Sequence, residues 1–150
     1  MIKEGTQNLK IIDSPLSFPL FQEPPYTYYQ KERLPNAQFI DLDLFTDLNN
    51  DLPHMLPTLE DFSKFMSILK ICKNSNIVLY DDFGVCGAAR MWWVFKCFGI
   101  DVNVLDGGLK AWKSSGFEVE TNVLNEDQIW SRGGWGFNGG KDGPGKTKVF

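Results

Sequence analysis

Histidine is the scarcest source of chemistry in this sequence, since His54 is the only one in 150 residues. Mechanisms that need two or more histidine ligands are excluded, and any Ser-His-Asp or Cys-His arrangement has to run through that single side chain. Cysteine is nearly as scarce. Cys72, Cys86 and Cys97 stand 14 and 11 positions apart, which fits no zinc or CxxC redox spacing; the odd count argues for reduced, intracellular thiols rather than a disulfide framework. Three arginines and a net charge of −4 leave no electrostatic footprint for nucleic acid or for an anionic membrane face. No run of 18 apolar residues is present, so no membrane span is expected, and the first eight residues show neither a signal-peptide apolar stretch nor an arginine-rich amphipathic pattern.

What is present describes a globular chain. Apolar residues make up 43%, aromatics 14% and charged residues 23%, and a chain of this length buries roughly 68–70% of its unfolded surface around one core. Composition shifts near residue 120. Residues 121–150 hold seven of the 14 glycines and four basic residues against three acidic ones, so the acidic excess lies in the first 120. A glycine-rich stretch loses much backbone entropy on ordering. The expected organisation is therefore a domain over 1–120 followed by a Gly/aromatic-rich extension over 121–150.

Within the first 120 residues strand and helix signals take turns. Leu9-Lys10-Ile11-Ile12, Gln38-Phe39-Ile40, Ile77-Val78-Leu79-Tyr80 and Asp101-Val102-Asn103-Val104-Leu105 are short apolar runs bounded by turn residues, as buried strands are. Thr58 with Asp61 supplies a helix start, and Leu59, Phe62, Phe65, Met66 and Leu69 repeat at helical spacing towards Ile71. Ala88–Phe98 carries no breaker before Gly99, and Leu109–Lys113 runs on to Gly116. This alternation predicts an α/β fold, an open parallel sheet with helices on both faces.

The segment from Ile77 to Phe98 reads as strand, glycine-containing loop and helix, the place where open α/β sheets bind ligands. Gly84, Val85, Cys86, Gly87 and Ala88 are the candidate anion loop, with backbone N–H groups converging ahead of a helix amino terminus. Asp81 and Asp82 at its mouth oppose an anion, so a plain strand-to-helix turn is the competing reading.

Tyr80-Asp81-Asp82-Phe83-Gly84-Val85, Arg90-Met91-Trp92-Trp93-Val94-Phe95 and Leu105-Asp106-Gly107-Gly108-Leu109-Lys110-Ala111-Trp112 follow one another in this order. With Leu34-Pro35-Asn36-Ala37-Gln38-Phe39-Ile40-Asp41 and His54-Met55-Leu56-Pro57, the chain over roughly 9–120 resembles a rhodanese-like domain. More narrowly, it resembles the non-catalytic amino-terminal domain of tandem thiosulfate/3-mercaptopyruvate sulfurtransferases. That family's reaction needs a cysteine at the end of the central strand, and the resemblance places this position on Asp81. A carboxylate cannot carry a sulfane sulfur. The resemblance thus implies the fold while withdrawing the activity, and the catalytic domain that follows in the tandem enzymes is not expected within 150 residues.

Other sources of chemistry are weaker. Cys86, five positions after Asp81 and near a helix start that lowers thiol pKa, is the substitute nucleophile; its competing role is a small packed residue. A phosphatase loop fails, because Gly87 stands where its arginine belongs. Cys72 and Cys97 read as core or helix-face thiols, and His54 as a loop residue making a structural hydrogen bond. Asp81, Asp82 and Asp106 are as well explained by turns as by a divalent cation, and no metal or cofactor is expected. Gly140–Thr147 fits the G-x-x-x-x-G-K-[ST] pattern letter by letter, yet neither the strand nor the helix that this loop joins is readable around it.

Trp92 and Trp93 are neighbours about 100° apart on a helix, so both cannot face one core. With Trp130, Trp135 and Phe137 of the extension, they are the expected contact surface for other protein subunits, although the extension's tryptophans could instead fold back on their own domain. The expected function is a catalytically silent structural or interaction subunit of a larger, mitochondrial assembly, with a cytoplasmic location as the other choice. The alternative is a sulfurtransferase acting through Cys86 or with a catalytic domain supplied in trans.

Overall fold

Four strands pair wholly in parallel in the order β2-β1-β3-β4: β1 (Leu9–Asp13), β2 (Gln38–Phe39), β3 (Asn76–Tyr80) and β4 (Asn103–Val104). The structure, a computed structural model, describes residues 8–16, 22–82 and 86–133, the side chain of Trp130 excepted. Five helices accompany the strands: α1 (Pro25–Lys31), α2 (Leu59–Ile68), α3 (Cys86–Cys97), α4 (Gly108–Ser114) and α5 (Glu126–Arg132). Side chains alternate across a strand, so β1 and β3 feed two separate apolar layers. Ile12, Ile77 and Leu79 meet Phe62 and Phe65 of α2 and Ala88, Met91, Val94 and Phe95 of α3 on one face. Phe39 and Tyr80 meet Tyr29 of α1, Leu109 of α4 and Ile129 of α5 on the other. The open parallel sheet with helices on both faces is thus the observed architecture.

Local chemistry sets the helix ends. Thr58 accepts the Asp61 N–H at 3.1 Å and starts α2, which stops at Ile68, short of Ile71, because Lys70 turns left-handed at φ 53°. The strand expected over 101–105 is paired only at Asn103 and Val104. Two helices lacked an apolar period long enough to read. Proline at its start and Tyr26–Gln30 spacing mark α1. A reciprocal cap marks α5, where Asn125 Oδ1 accepts from Gln128 N at 2.9 Å and Gln128 Oε1 accepts from Asn125 N at 3.0 Å.

Packing continues past residue 120. Leu124 and Ile129 are buried beneath α1, and the buried Gln38 amide donates to the carbonyls of Leu69, Arg132 and Gly133. The glycine-rich remainder from 134, with Trp135, Phe137 and the Gly140–Thr147 match, lies outside the described residues.

Arg33 ties this second layer together from a fully buried position. Its backbone exchanges two hydrogen bonds with Glu120, at 3.0 and 2.9 Å. Its guanidinium donates to the carbonyls of Tyr29 and Asn122 and to Asn122 Oδ1, and lies 3.2 Å from Glu120 Oε2. A buried cation is tolerated when its charge is paired, and here both terminal nitrogens are paired while Nε is buried without a partner. Arg33→Ala leaves these acceptors without their donor, and chemical denaturation is expected to show a loss of about 3 kcal/mol; a loss below ~1 kcal/mol would remove Arg33 as the link.

Candidate functional site

The carboxyl ends of β1 and β3 bring together Asp13, Tyr80, Asp81 and Asp82, and two helices approach them closely. At Gly87, the second residue of α3, a Cβ would lie 2.1 Å from the Ser14 carbonyl oxygen and 2.6 Å from the Leu16 nitrogen. At Gly108, where φ is 57°, a Cβ would lie 2.2 Å from the Asp81 carbonyl oxygen. Backbone meets backbone at both points, so only glycine fits. The start of α3 and the start of α4 are consequently fixed against the ends of the central strands.

Asp81 occupies the centre of this arrangement. It is 2% exposed, its Oδ2 accepts the Ala88 N–H at 3.0 Å, and its carbonyl accepts the Leu109 N–H at 3.2 Å. One carboxylate therefore satisfies an otherwise orphaned donor in the first turn of α3 and brings negative charge to the positive end of the helix dipole. The chain supplies its own anion at the place where the sequence suggested an external one.

The neighbouring carboxyls carry the electrostatic cost. Burial, then the charges of Asp82 and Asp81, push Asp13 well above the ordinary carboxylate range, while the Tyr80 hydroxyl opposes the shift through a hydrogen bond. Asp82 is pushed up to about 6 by burial, then by Glu32 and Asp81, with Lys113 acting in the opposite sense. Lys113 Nζ pairs with Glu32 Oε1 at 2.5 Å, and both line a cavity of about 360 Å³ with Asp82, Leu109, Lys110 and Ser114. Asp13, Glu32 and Lys113 do not stand out in the sequence, because separations of 31 residues and more hide their contacts with Asp82; only a strand-end position hints at Asp13.

The other sequence candidates scatter. Phe83, Gly84 and Val85 lie outside the described residues, so of the anion loop only Cys86, Gly87 and Ala88 can be placed. Gly87 and Ala88 are buried. Cys86 is exposed as the first residue of α3, not a small packed residue, since this position precedes the buried face of the helix. Cys72 and Cys97 are exposed as well, Cys97 on the outer face of α3 and Cys72 in the turn after α2, which corrects a core placement for either. Trp92 and Trp93 are 40% and 42% exposed, with Lys96 over the Trp92 ring at 5.7 Å and Arg90 over the Trp93 ring at 4.5 Å. His54 sits at φ 57° with Nδ1 3.5 Å from Asp43 Oδ1, and its carbonyl accepts from Arg90. Trp130 falls on α5, and no group of three His, Cys, Asp or Glu side chains among the described residues is arranged to hold a metal.

A carboxyl whose folded pKa is raised binds its proton more tightly in the native state, so its stability contribution falls as pH rises from the unfolded value of 3.8 through about 6. Asp82→Asn removes that loss. Thermal unfolding is expected to show the variant more stable than the parent by about 1–2 kcal/mol at pH 7.5, after solvent screening of the half-buried group, with the difference vanishing near pH 4. A gain of equal size at both pH values would refute this electrostatic account.

A profile for the rhodanese-like domain matches residues 3–115. The chain is 45% identical over 120 residues to thiosulfate/3-mercaptopyruvate sulfurtransferase 1, mitochondrial, of Arabidopsis thaliana, covering 79% of this chain and 32% of that protein. It is 35% identical over 121 residues to a probable 3-mercaptopyruvate sulfurtransferase of Schizosaccharomyces pombe, covering 80% and 41%. The chain thus spans about a third to two-fifths of the length of these curated relatives. Among solved structures, Tum1 of Saccharomyces cerevisiae superimposes with a TM-score of 0.72 at 24% identity, covering 81% of this chain and 40% of that one. The sub-stoichiometric sulfur transferase subunit of yeast mitochondrial complex I superimposes at 0.68 with 28% identity, covering 82% and 44%. Profile, relatives and architecture agree that the chain belongs to the rhodanese-like domain family.

Proposed function

We propose that this chain is a rhodanese-like domain without sulfur-transfer chemistry of its own, serving as a structural or interaction subunit of a larger protein assembly. The hydrogen bond from Ala88 N–H to the buried Asp81 carboxylate carries this reading. By the family resemblance, Asp81 stands where the persulfide-forming cysteine is required. Its hard oxygens cannot accept a sulfane sulfur, and they already hold a helix-entry donor that would otherwise be available to a thiolate or a small oxyanion. Asp13 and Asp82 beside it disfavour further negative charge, which also speaks against a small-anion sensor.

The contact surface of this proposed subunit includes Trp92 and Trp93, whose exposure on α3 leaves aromatic area for a partner. Trp130, Trp135 and Phe137 belong to the same proposal. A mitochondrial location is supported by the location given to the Arabidopsis relative and by the complex I subunit among the structural neighbours. The complex I likeness likewise favours a large assembly as the partner.

A second reading is a sulfurtransferase, and one observation favours it: Cys86 is exposed at the start of α3, where solvent reaches its thiol. A catalytic domain supplied in trans would give the same activity without it. Thiosulfate–cyanide and mercaptopyruvate–thiol sulfur transfer by the purified chain and by Cys86→Ser separate the readings. Both proteins are expected to stay at the uncatalysed rate. A parent rate that Cys86→Ser abolishes would replace the silent reading with the enzymatic one.

A further inference from the structure

Of the three aspartates at the strand ends, Asp82 alone lines the cavity of about 360 Å³ beside α4. Asp81 spends its carboxylate on the Ala88 N–H, whereas Asp82 Oδ1 is buried with no hydrogen-bond partner among the described residues. A buried carboxylate oxygen costs free energy until a donor reaches it. The cavity wall follows from Gly108. With no Cβ to hold it off the Asp81 carbonyl, α4 starts against the end of β3, and Leu109, Lys110, Lys113 and Ser114, neighbours on one face of that helix, line the same space as Asp82. Lys113 is committed to Glu32. Lys110 is exposed and has no carboxylate partner among the described residues. The cavity therefore holds a half-buried anion and an exposed cation, neither in an ion pair, and the buried Leu109 supplies an apolar wall.

We propose that this cavity binds a small amino acid, a primary ammonium and a carboxylate joined by a short aliphatic chain, with the ammonium donating to Asp82 and the carboxylate meeting Lys110. Its volume is at the lower end of the range of small-molecule sites, roughly 300–1,000 Å³. An ammonium brings the charged donor that Asp82 Oδ1 lacks. A bare metal ion fits less well, since no group of three His, Cys, Asp or Glu among the described residues is arranged to hold one and the Lys113 ammonium lines the same cavity. An anion alone is repelled at Asp82, and an amine alone leaves Lys110 unanswered. The two charges of an amino acid answer both. This binding goes beyond the silent-subunit reading and stands whether or not the chain transfers sulfur, so the ligand titration and the sulfur-transfer assay can fail separately.

Titration of the isotope-labelled full chain with glycine, β-alanine and γ-aminobutyrate, each to about 50 mM at pH 7.5 and constant ionic strength, tests the site through backbone amide shifts, because so small a ligand is held in the millimolar range. At least one of the three is expected to shift the α4 amides saturably, with n-butylamine bound severalfold more weakly and butyrate leaving them unmoved. Asp82→Asn is expected to weaken the best of them about tenfold and Lys110→Met severalfold. The Asp82 variant loses a charge that opposes folding at this pH, so it keeps the fold, and a melting temperature no lower than the parent's verifies this. No saturable shift with any of the three, n-butylamine or butyrate bound as tightly as the amino acid, or an affinity that either substitution leaves unchanged overturns the proposal.

Discussion

The close approach of two helix starts to the end of the central strand is the constraint on which the rest of the structure depends. Gly87 lets α3 touch the 14–16 segment, Gly108 lets α4 touch the Asp81 carbonyl, and Asp81 holds both helices at once through Ala88 and Leu109. These contacts fix α3 over one face of the sheet and α4 over the other. The two apolar layers grow outward from that junction, Met91 and Phe95 into one and Leu109 into the other. A backbone-to-backbone contact has no side chain that could yield, so the placement of the two helix starts cannot adjust to side-chain packing.

Compactness at this junction concentrates charge. Asp13 is 2% exposed and Asp82 is half-buried within the field of Asp81, so the strand ends carry an acidic cost that the apolar layers must offset. Arg33 shows the opposite solution, a buried ion whose two terminal nitrogens are met by carbonyls, an amide oxygen and a carboxylate. Structural ionisable groups are expected to resemble Arg33. The Asp13–Asp82 cluster departs from that pattern at the end of the sheet where α/β proteins bind ligands, which is where local conflicts are most often retained.

Fold class, strand positions and the α2 cap were legible because each rests on chemistry within five residues: a short apolar run bounded by aspartate, or Thr58 followed by Asp61. Helices α1 and α5 were not, since each is seven residues long and held by distant partners, Gln30 by the Leu124 carbonyl and the Ser131 and Arg132 carbonyls by Lys70 and Gln38. The role of Asp81 was half-legible. Its place after the strand could be read, and its carboxylate as an obstacle to anions could be argued. The bond to Ala88 could not, because it depends on how far α3 is drawn back by Gly87, and no periodicity records that distance.

The same geometry explains why the outer face of α3 carries so much aromatic area. Gly87, Ala88, Met91, Val94 and Phe95 define the buried stripe, and the glycine contact at the helix start leaves little freedom to rotate it. Trp92 and Trp93 then fall on either side of the outward direction, separated by the 100° step of the helix. Neither can be brought into the core without expelling Met91 or Phe95. Their exposure is thus enforced from inside, by a junction of two glycines and an aspartate at the other side of the helix. Arg90 and Lys96 covering the two rings lower the cost of leaving them in water.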